Sequence, residues 1–405
     1  MTETVSSSSG EPARAHASPR GIGDFLASHG GPFYQLQAQL RLLHESSLRV
    51  GQRTLLFVAI AWAVPFLLGL PRSFSLDHGE GAYLADLSVW SKFFIGVAAF
   101  VLAEQQVEKG LRGKLRQLII APIIAPSSMP RAAGLVSRAL MRRDLWLAEL
   151  VCLILGIIAA FLSYGNFMAL PASSWAVEHL PEGNRISLSG WWSICISLPL
   201  FVFLFTRGVW RHLVWAQLLR GLARLELRLV ANHPDGKAGL SFLARYPNAY
   251  ALFVFGMSCA IAAQIAKHFV NQEVSATTLS MVMGGWLVIV LAFFAYPLSA
   301  FTPPLTRLKE NGLIVLGAQA TRFYRAAERK AIGRNIAADP GPEPDGEIAD
   351  PSKLYDANAK LSTMLISRAA VIPVAAAALI PFAVAGATKL PYKEVFSVLK
   401  KLLLL

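Results

Sequence analysis

Six stretches of the chain stay apolar for about the 20 residues that a helix needs to cross a bilayer. They are 54–70, 88–103, 145–164, 190–206, 250–270 and 279–300. A seventh, 369–387, is long enough but carries Pro373, Pro381 and much alanine, so its pattern leaves open whether it crosses. Between the spans the pattern turns basic and helical. Residues 104–119 prolong the second span until Pro122, Pro126 and Pro130 break the helix, and 132–144 form a second basic helix. The fourth span runs on through Arg207, Arg211, Arg220, Arg224 and Arg228, with leucines interleaved, until Pro234 stops it. A further basic helix is predicted over 303–333, and Asp350 followed by Pro351 reads as a cap and first turn starting a helix toward Arg368.

The predicted fold class is therefore all-α, a polytopic transmembrane helical bundle over a layer of basic cytoplasmic helices. By segment, 1–30 is a disordered tail and 31–303 the six-span domain with its helical loops. Residues 304–336 are the basic helix, 337–350 an acidic proline-rich linker, and 351–405 a helix, the seventh apolar segment and an amphipathic C-terminus.

Composition agrees, since 54% hydrophobic and 16% charged residues with mean hydropathy +0.48 exclude an ordinary soluble protein. A net charge of +13 would suggest nucleic acid in a soluble chain. Here the basic residues flank the spans, so they set topology and the expected partner is the bilayer. Five Lys or Arg precede the first span, eight lie between the second and third, seven between the fourth and fifth, and ten between the sixth and seventh. The opposite connections carry only Arg72 and Arg185, while Lys92 and Lys267 sit near span ends where their stems can snorkel. The basic side is cytoplasmic by this bias and the N-terminus lies inside. Trp175, Trp191 and Trp192 mark one predicted interface belt and Trp146, Trp210 and Trp215 the other. The first fifty residues hold no apolar h-region, so insertion is expected to begin at an internal span. Cys152, Cys195 and Cys259 lie in apolar runs without CxxC spacing, which suggests neither disulfides nor a metal site.

Several segments together resemble a family of bacterial polytopic inner-membrane proteins with a cytoplasmic His-Pro-Asp loop and no assigned activity. They are GPFYQLQAQLRLL from Gly31, LWLAEL from Leu145, SSWA from Ser173 and GWWSICISLPLFVFLF from Gly190. LELRLVANHPDGKAGLSFL from Leu225, FTPPLTRLKENGL from Phe301 and GAQATRFYRAAERK from Gly317 complete the set. The resemblance covers roughly residue 30 to the end. It implies the architecture and a bacterial inner membrane and supplies no mechanism. The family's loop is richer in glycine where this chain has Lys237, Ala238 and Ser241, and an aromatic that follows its basic helix is Ala331 here.

His-Pro-Asp is also the signature triplet of J-domain co-chaperones. Only about a dozen residues separate Asp235 from the next span, too few for the second amphipathic helix such a domain packs. The triplet then has two readings. In the first, Pro234 ends a helix, Asp235 caps a short helix bearing Leu240, Phe242 and Leu243, and His233 bonds at the preceding helix end. In the second, His233 and Asp235 form an acid/base or proton-sensing pair acting on a lipid headgroup or anionic ligand. The first is favoured because caps and turns account for most such triplets. Glu104 and Glu149 lie near the cytoplasmic boundary close to Arg207 and Arg211, as candidates for ion pairs, and Gln264 and Lys267 are polar positions at the other end of span five. No histidine or cysteine cluster has zinc spacing, and no GxGxxG, Walker or GxSxG motif occurs, so no metal or cofactor is expected. The favoured function is non-enzymatic, a transporter, channel or membrane scaffold, with anionic lipid headgroups as potential ligands of the basic layer and oligomerisation left open.

Overall fold

All seven apolar stretches are helical in the computed structural model, which describes residues 28–40, 42, 49–73, 82–168, 174–181, 183–268, 275–337 and 349–404. The membrane-length helices are α2 (Val50–Leu70), α3 (Leu87–Ile120), α5 (Trp146–Met168), α6 (Leu188–Leu222), α7 (Ala251–His268), α8 (Ala276–Leu298) and α11 (Arg368–Gly386). Around them stand α1 (Pro32–Gln39), α4 (Met129–Arg143), α9 (Thr302–Ile332), α10 (Ser352–Ala359) and α12 (Tyr392–Leu404). The chain is thus a multi-pass membrane protein of the all-α class. Its described strands are β1 (Val177–Leu180) and β2 (Gly183–Ile186), an antiparallel hairpin between α5 and α6. The seventh apolar stretch packs with α7 and α8, where Ala375, Leu379 and Phe382 meet Ala262, Leu279 and Met283, and Val395 of α12 closes the same cluster.

Lipid tails are as apolar as the helices, so close packing rather than water exclusion holds the bundle. Small residues make it possible where α3, α6 and α7 meet. A Cβ at Gly96 would lie 2.5 Å from the Phe201 ring, one at Gly256 2.7 Å from the Ala99 Cβ, and one at Gly208 inside the Phe253 ring's contact distance.

Three spans loosen into π-helical register, at Ala59–Ala63 in α2, Trp90–Gly96 in α3 and Ser193–Ser197 in α6. In α2 and α6 the segment ends two residues before a proline, Pro65 or Pro199, whose missing N–H cannot serve the turn behind it. Two carbonyls of the α2 segment also accept from side chains. Trp192 Nε1 donates to Ile60 O at 2.9 Å and Tyr83 OH to Trp62 O at 2.8 Å.

The basic layer differs from its prediction in four places. First, α6 ends at Leu222, twelve residues before Pro234, because 225–229 leave the helix to pair with the loop behind α3. Ala125 N donates to Glu226 O at 3.0 Å and Arg228 N to Ile123 O at 2.7 Å. Second, the helix after Asp350 stops at Ala359, although Asp350 Oδ1 does accept from Ser352 N at 2.9 Å. Third, Trp215 is fully buried and Trp175 nearly so, which removes both from the interface belts, whereas Trp146 and Trp191 stay exposed. Fourth, no α-helix follows Asp235 before the 3₁₀ turns of Leu243–Tyr250. Residues 1–27 of the tail and 338–348 of the linker lie outside the described residues.

Candidate functional site

The charged side chains predicted near one boundary converge in a single cluster. Arg207 on α6 bridges two carboxylates, with Nη1 2.7 Å from Glu104 Oε1 and Nε 2.9 Å from Glu149 Oε1. Arg53, in the first turn of α2, places Nη2 2.6 Å from Glu104 Oε2 and donates from Nε to Gln37 Oε1. Arg211, one helical turn beyond Arg207, lies 3.5 Å from Glu104 and donates to Ser28 O at 3.0 Å. Arg53, Arg207 and Glu149 are all buried. The last carboxylate oxygen, Glu149 Oε2, accepts Phe33 N–H at 2.7 Å and so caps α1, whose own N-cap residue is a glycine with no side chain to offer. That approach needs Gly31. Its φ is +89°, and a Cβ there would stand 2.6 Å from Glu149 Oε1. Every oxygen of Glu104 and Glu149 accepts at least one bond, so the cluster ties α1, α2, α3, α5 and α6 together, while Arg53 Nη1 is buried with no hydrogen-bond partner among the described residues.

The other predicted pair, Gln264 and Lys267, lines a cavity of about 160 Å³ at the opposite end of the bundle. Asp86 stands ahead of α3 and accepts Ser88 N at 2.8 Å, Trp175 Nε1 at 3.1 Å and an ion pair from Lys267 Nζ at 2.6 Å. Gln264 Oε1 accepts from Ser88 Oγ at 3.1 Å and from Lys92 Nζ at 3.2 Å. Lys92, half-exposed, thus turns its ammonium toward the cavity. It has three donors, and Gln264 is its sole hydrogen-bond partner among the described residues. The hydroxyl of Ser193, in the π segment of α6, is buried beside it without a partner, and Ser163 and Asn166 of α5 complete the polar wall.

Twelve residues of α3 separate Lys92 from Glu104, about 18 Å of helix. Between them Val97, Phe100, Phe201 and Phe253 are buried, with the Phe100 and Phe201 rings 5.3 Å apart and Phe205 stacked on Phe253 at 5.7 Å. An aromatic layer thus divides the two polar regions.

His233 and Asp235 form a pair, with Nδ1 2.9 Å from Oδ1, but the carboxylate is engaged elsewhere. Oδ1 accepts from Lys237 N at 2.8 Å and Gly239 N at 3.1 Å, and Oδ2 from Ser241 N at 3.0 Å. Burial raises the Asp235 pKa, but these three N–H groups and His233 outweigh it and hold the carboxyl down at about 2. Asp235 staples a non-helical loop with positive φ at Gly236, Ala238 and Gly239, in place of the predicted helix cap. The loop docks as expected, with Leu240 and Leu243 fully buried, and Gly236 O accepts Ser362 N at 3.0 Å.

Arg53, Gln37 and Lys92 were missing from the sequence candidates. Arg53 sits just outside the first predicted span and its carboxylate partner, Glu104, is 51 residues away, so no local signal marks it. His212 was also passed over. It is buried against Phe293, ring centroids 3.9 Å apart, and its Nε2 lies 3.2 Å from the Phe293 carbonyl.

No protein-family model, curated protein or solved structure matches the chain.

Proposed function

We propose that this membrane protein is a non-enzymatic transporter of small anions in the bacterial inner membrane, with its N-terminus in the cytoplasm. The observation that carries this reading is the outer cavity, where Lys92 and Lys267 face a single carboxylate, Asp86, and where Lys92 and the Ser193 hydroxyl keep unused donors. Donors without acceptors in a partly dehydrated pocket favour an anion. The arginine cluster beneath it has three guanidinium groups for two carboxylates, so both ends of the path carry positive charge.

The Val97–Phe100–Phe201–Phe253 layer is then the closed gate. Passage requires α3 and α6 to shift, and both carry π segments, whose extra residue in a turn lets a helix rotate locally. The orientation follows from the lysine and arginine bias. The acid/base reading of His233 and Asp235 ranks below this one, since Asp235 spends both oxygens on backbone N–H groups.

Proteoliposomes holding the full chain test the proposal. Chloride, nitrate or phosphate efflux should exceed that from protein-free liposomes and fall in Lys92→Gln. Flux no faster than the empty vesicles for every anion, in either direction, would leave scaffolding as the surviving role. Single cysteines in place of Arg112 or Arg322 should resist an impermeant thiol reagent in intact spheroplasts. Labelling at either site reverses the orientation.

A further inference from the structure

We infer that a second basic cavity, at the arginine-rich end between α6 and α9, binds a phosphate group. The cavity, about 800 Å³, is separate from the transport path proposed above. Arg220 in the last turn of α6, Arg224 in the loop after it and Arg307 in the first turns of α9 line it, and no carboxylate shares the wall. None of the three arginines has an ion pair among the described residues. In a chain of net charge +13 a group of arginines is often only a solvated surface, but two features make this one a built site.

The first is that Arg220 is held in place. Its guanidinium lies 3.7 Å from the centroid of the Tyr296 ring and donates to the Tyr296 hydroxyl, which leaves most of its five N–H donors unspent. The second is that the wall carrying Arg224 is fixed, because Leu227 pairs with Ile124 and the flanking bonds from Ala125 N to Glu226 O and Arg228 N to Ile123 O anchor the segment. Guanidinium groups from α6, the loop after it and α9 therefore face one concavity, with little entropy left to lose in the Arg220 side chain and the backbone that carries Arg224.

Three planar forks around one cavity suit a tetrahedral dianion or a phosphodiester, which takes paired N–H bonds that a lysine cannot supply. Apart from Ser299 the rest of the wall is apolar, with Leu225, Leu227, Leu229 and Leu308 beside the arginines. The site also lies where α6 and α8 leave their apolar lengths, beside the half-exposed Tyr296, at the level of lipid headgroups. A phosphate with a hydrocarbon tail fits both halves of the wall, and a free phosphate fits the arginines alone. The shared chemistry is the phosphate.

The test uses the full chain with Arg224→Gln, Arg307→Gln and a control, Arg334→Gln, an exposed arginine on the same side outside the cavity. Each is placed in nanodiscs of phosphatidylcholine with or without phosphatidylglycerol, and in detergent with inorganic phosphate. Retained lipid is read by native mass spectrometry and binding by thermostability. Wild type and Arg334→Gln should retain phosphatidylglycerol over phosphatidylcholine, and each cavity variant should bind about tenfold more weakly, one charged hydrogen bond's worth. Protection by inorganic phosphate without lipid retention, lost in the same two variants, assigns the site to free phosphate. Equal retention of both lipids without phosphate protection, or equal losses in Arg334→Gln and the cavity variants, overturns the inference. Arg224 and Arg307 are exposed, so the unliganded variants should melt like wild type.

Discussion

The two polar regions of the bundle are built from similar residues and end in opposite states. At the arginine-rich end Glu104 and Glu149 accept from Arg53, Arg207, Arg211 and Phe33 N–H until no oxygen is left. At the other end Asp86 is equally engaged, yet Lys92 and Ser193 hold donors that nothing among the described residues fills. A cluster whose carboxylate oxygens are all bonded is a structural joint, even with Arg53 Nη1 buried and unfilled, because any motion must break charge-assisted bonds in a low dielectric. Of these donors only the Ser193 hydroxyl is buried, so it carries a desolvation cost, while the half-exposed Lys92 ammonium stays open to a ligand. Under the function proposed above, the contrast pairs a rigid end with one that contacts a ligand.

The sharpest way to break this contrast is Arg207→Ala. Two buried carboxylates would lose their shared partner, and stability measured by detergent melting should fall by about 3–5 kcal/mol. Replacing Arg207 and Glu149 together by glutamine should cost less than the sum of the single changes, because neither is left charged without the other. A loss below about 1 kcal/mol for Arg207→Ala would erase the distinction between the two ends.

Asp235 sharpens it from outside the membrane. Asp235→Ala should destabilise by about 2–3 kcal/mol, because three N–H bonds to a charged acceptor disappear. Asp235→Asn should lie between that and wild type, since one oxygen survives while an amide NH₂ faces Ser241 N–H or the Lys237 and Gly239 pair. Its folded pKa of about 2 lies below the ordinary 3.8, so the stabilisation is present above pH 4 and is lost as pH falls toward 2. An acid-melting series should show that loss in wild type and a smaller one in Asp235→Asn. His233→Gln should leave transport intact, and loss of flux with normal melting would restore the acid/base reading.

Lys92→Gln should barely move the melting temperature and should reduce anion flux about tenfold, the worth of one charge-assisted bond to substrate. Equal damage to stability and flux would make the outer cavity another joint. The smallest expected effect concerns the π segments. Trp192→Phe leaves Ile60 O without its indole donor and should cost about 1 kcal/mol, and Pro65→Ala, which restores a backbone N–H to that turn, should recover part of it.

Six of the seven membrane-length helices, the fold class and the basic character of one face could be read from the chain itself, while 369–387 stayed open, because a bilayer demands long apolar runs and lets charge bias mark the ends. Glu104, Glu149, Arg207 and Arg211 were placed near one another by depth alone, and the tertiary structure does join them. Depth says nothing about azimuth. Whether Lys92 faces lipid or a cavity, whether Trp175 lies at an interface or under Tyr83, and whether Arg53 reaches Glu104 depend on how each helix is rotated against its neighbours. That rotation is decided by close contacts such as Gly96 on Phe201 and Gly256 on Ala99, which pair residues more than a hundred positions apart. The end of α6 shows the same limit. Its arginines and leucines continue a helical pattern past Leu222, and only the loop behind α3, offering backbone partners to 225–229, turns that segment into an edge. Local pattern determines what each segment can be, and the choice among its options belongs to partners that sequence proximity never reveals.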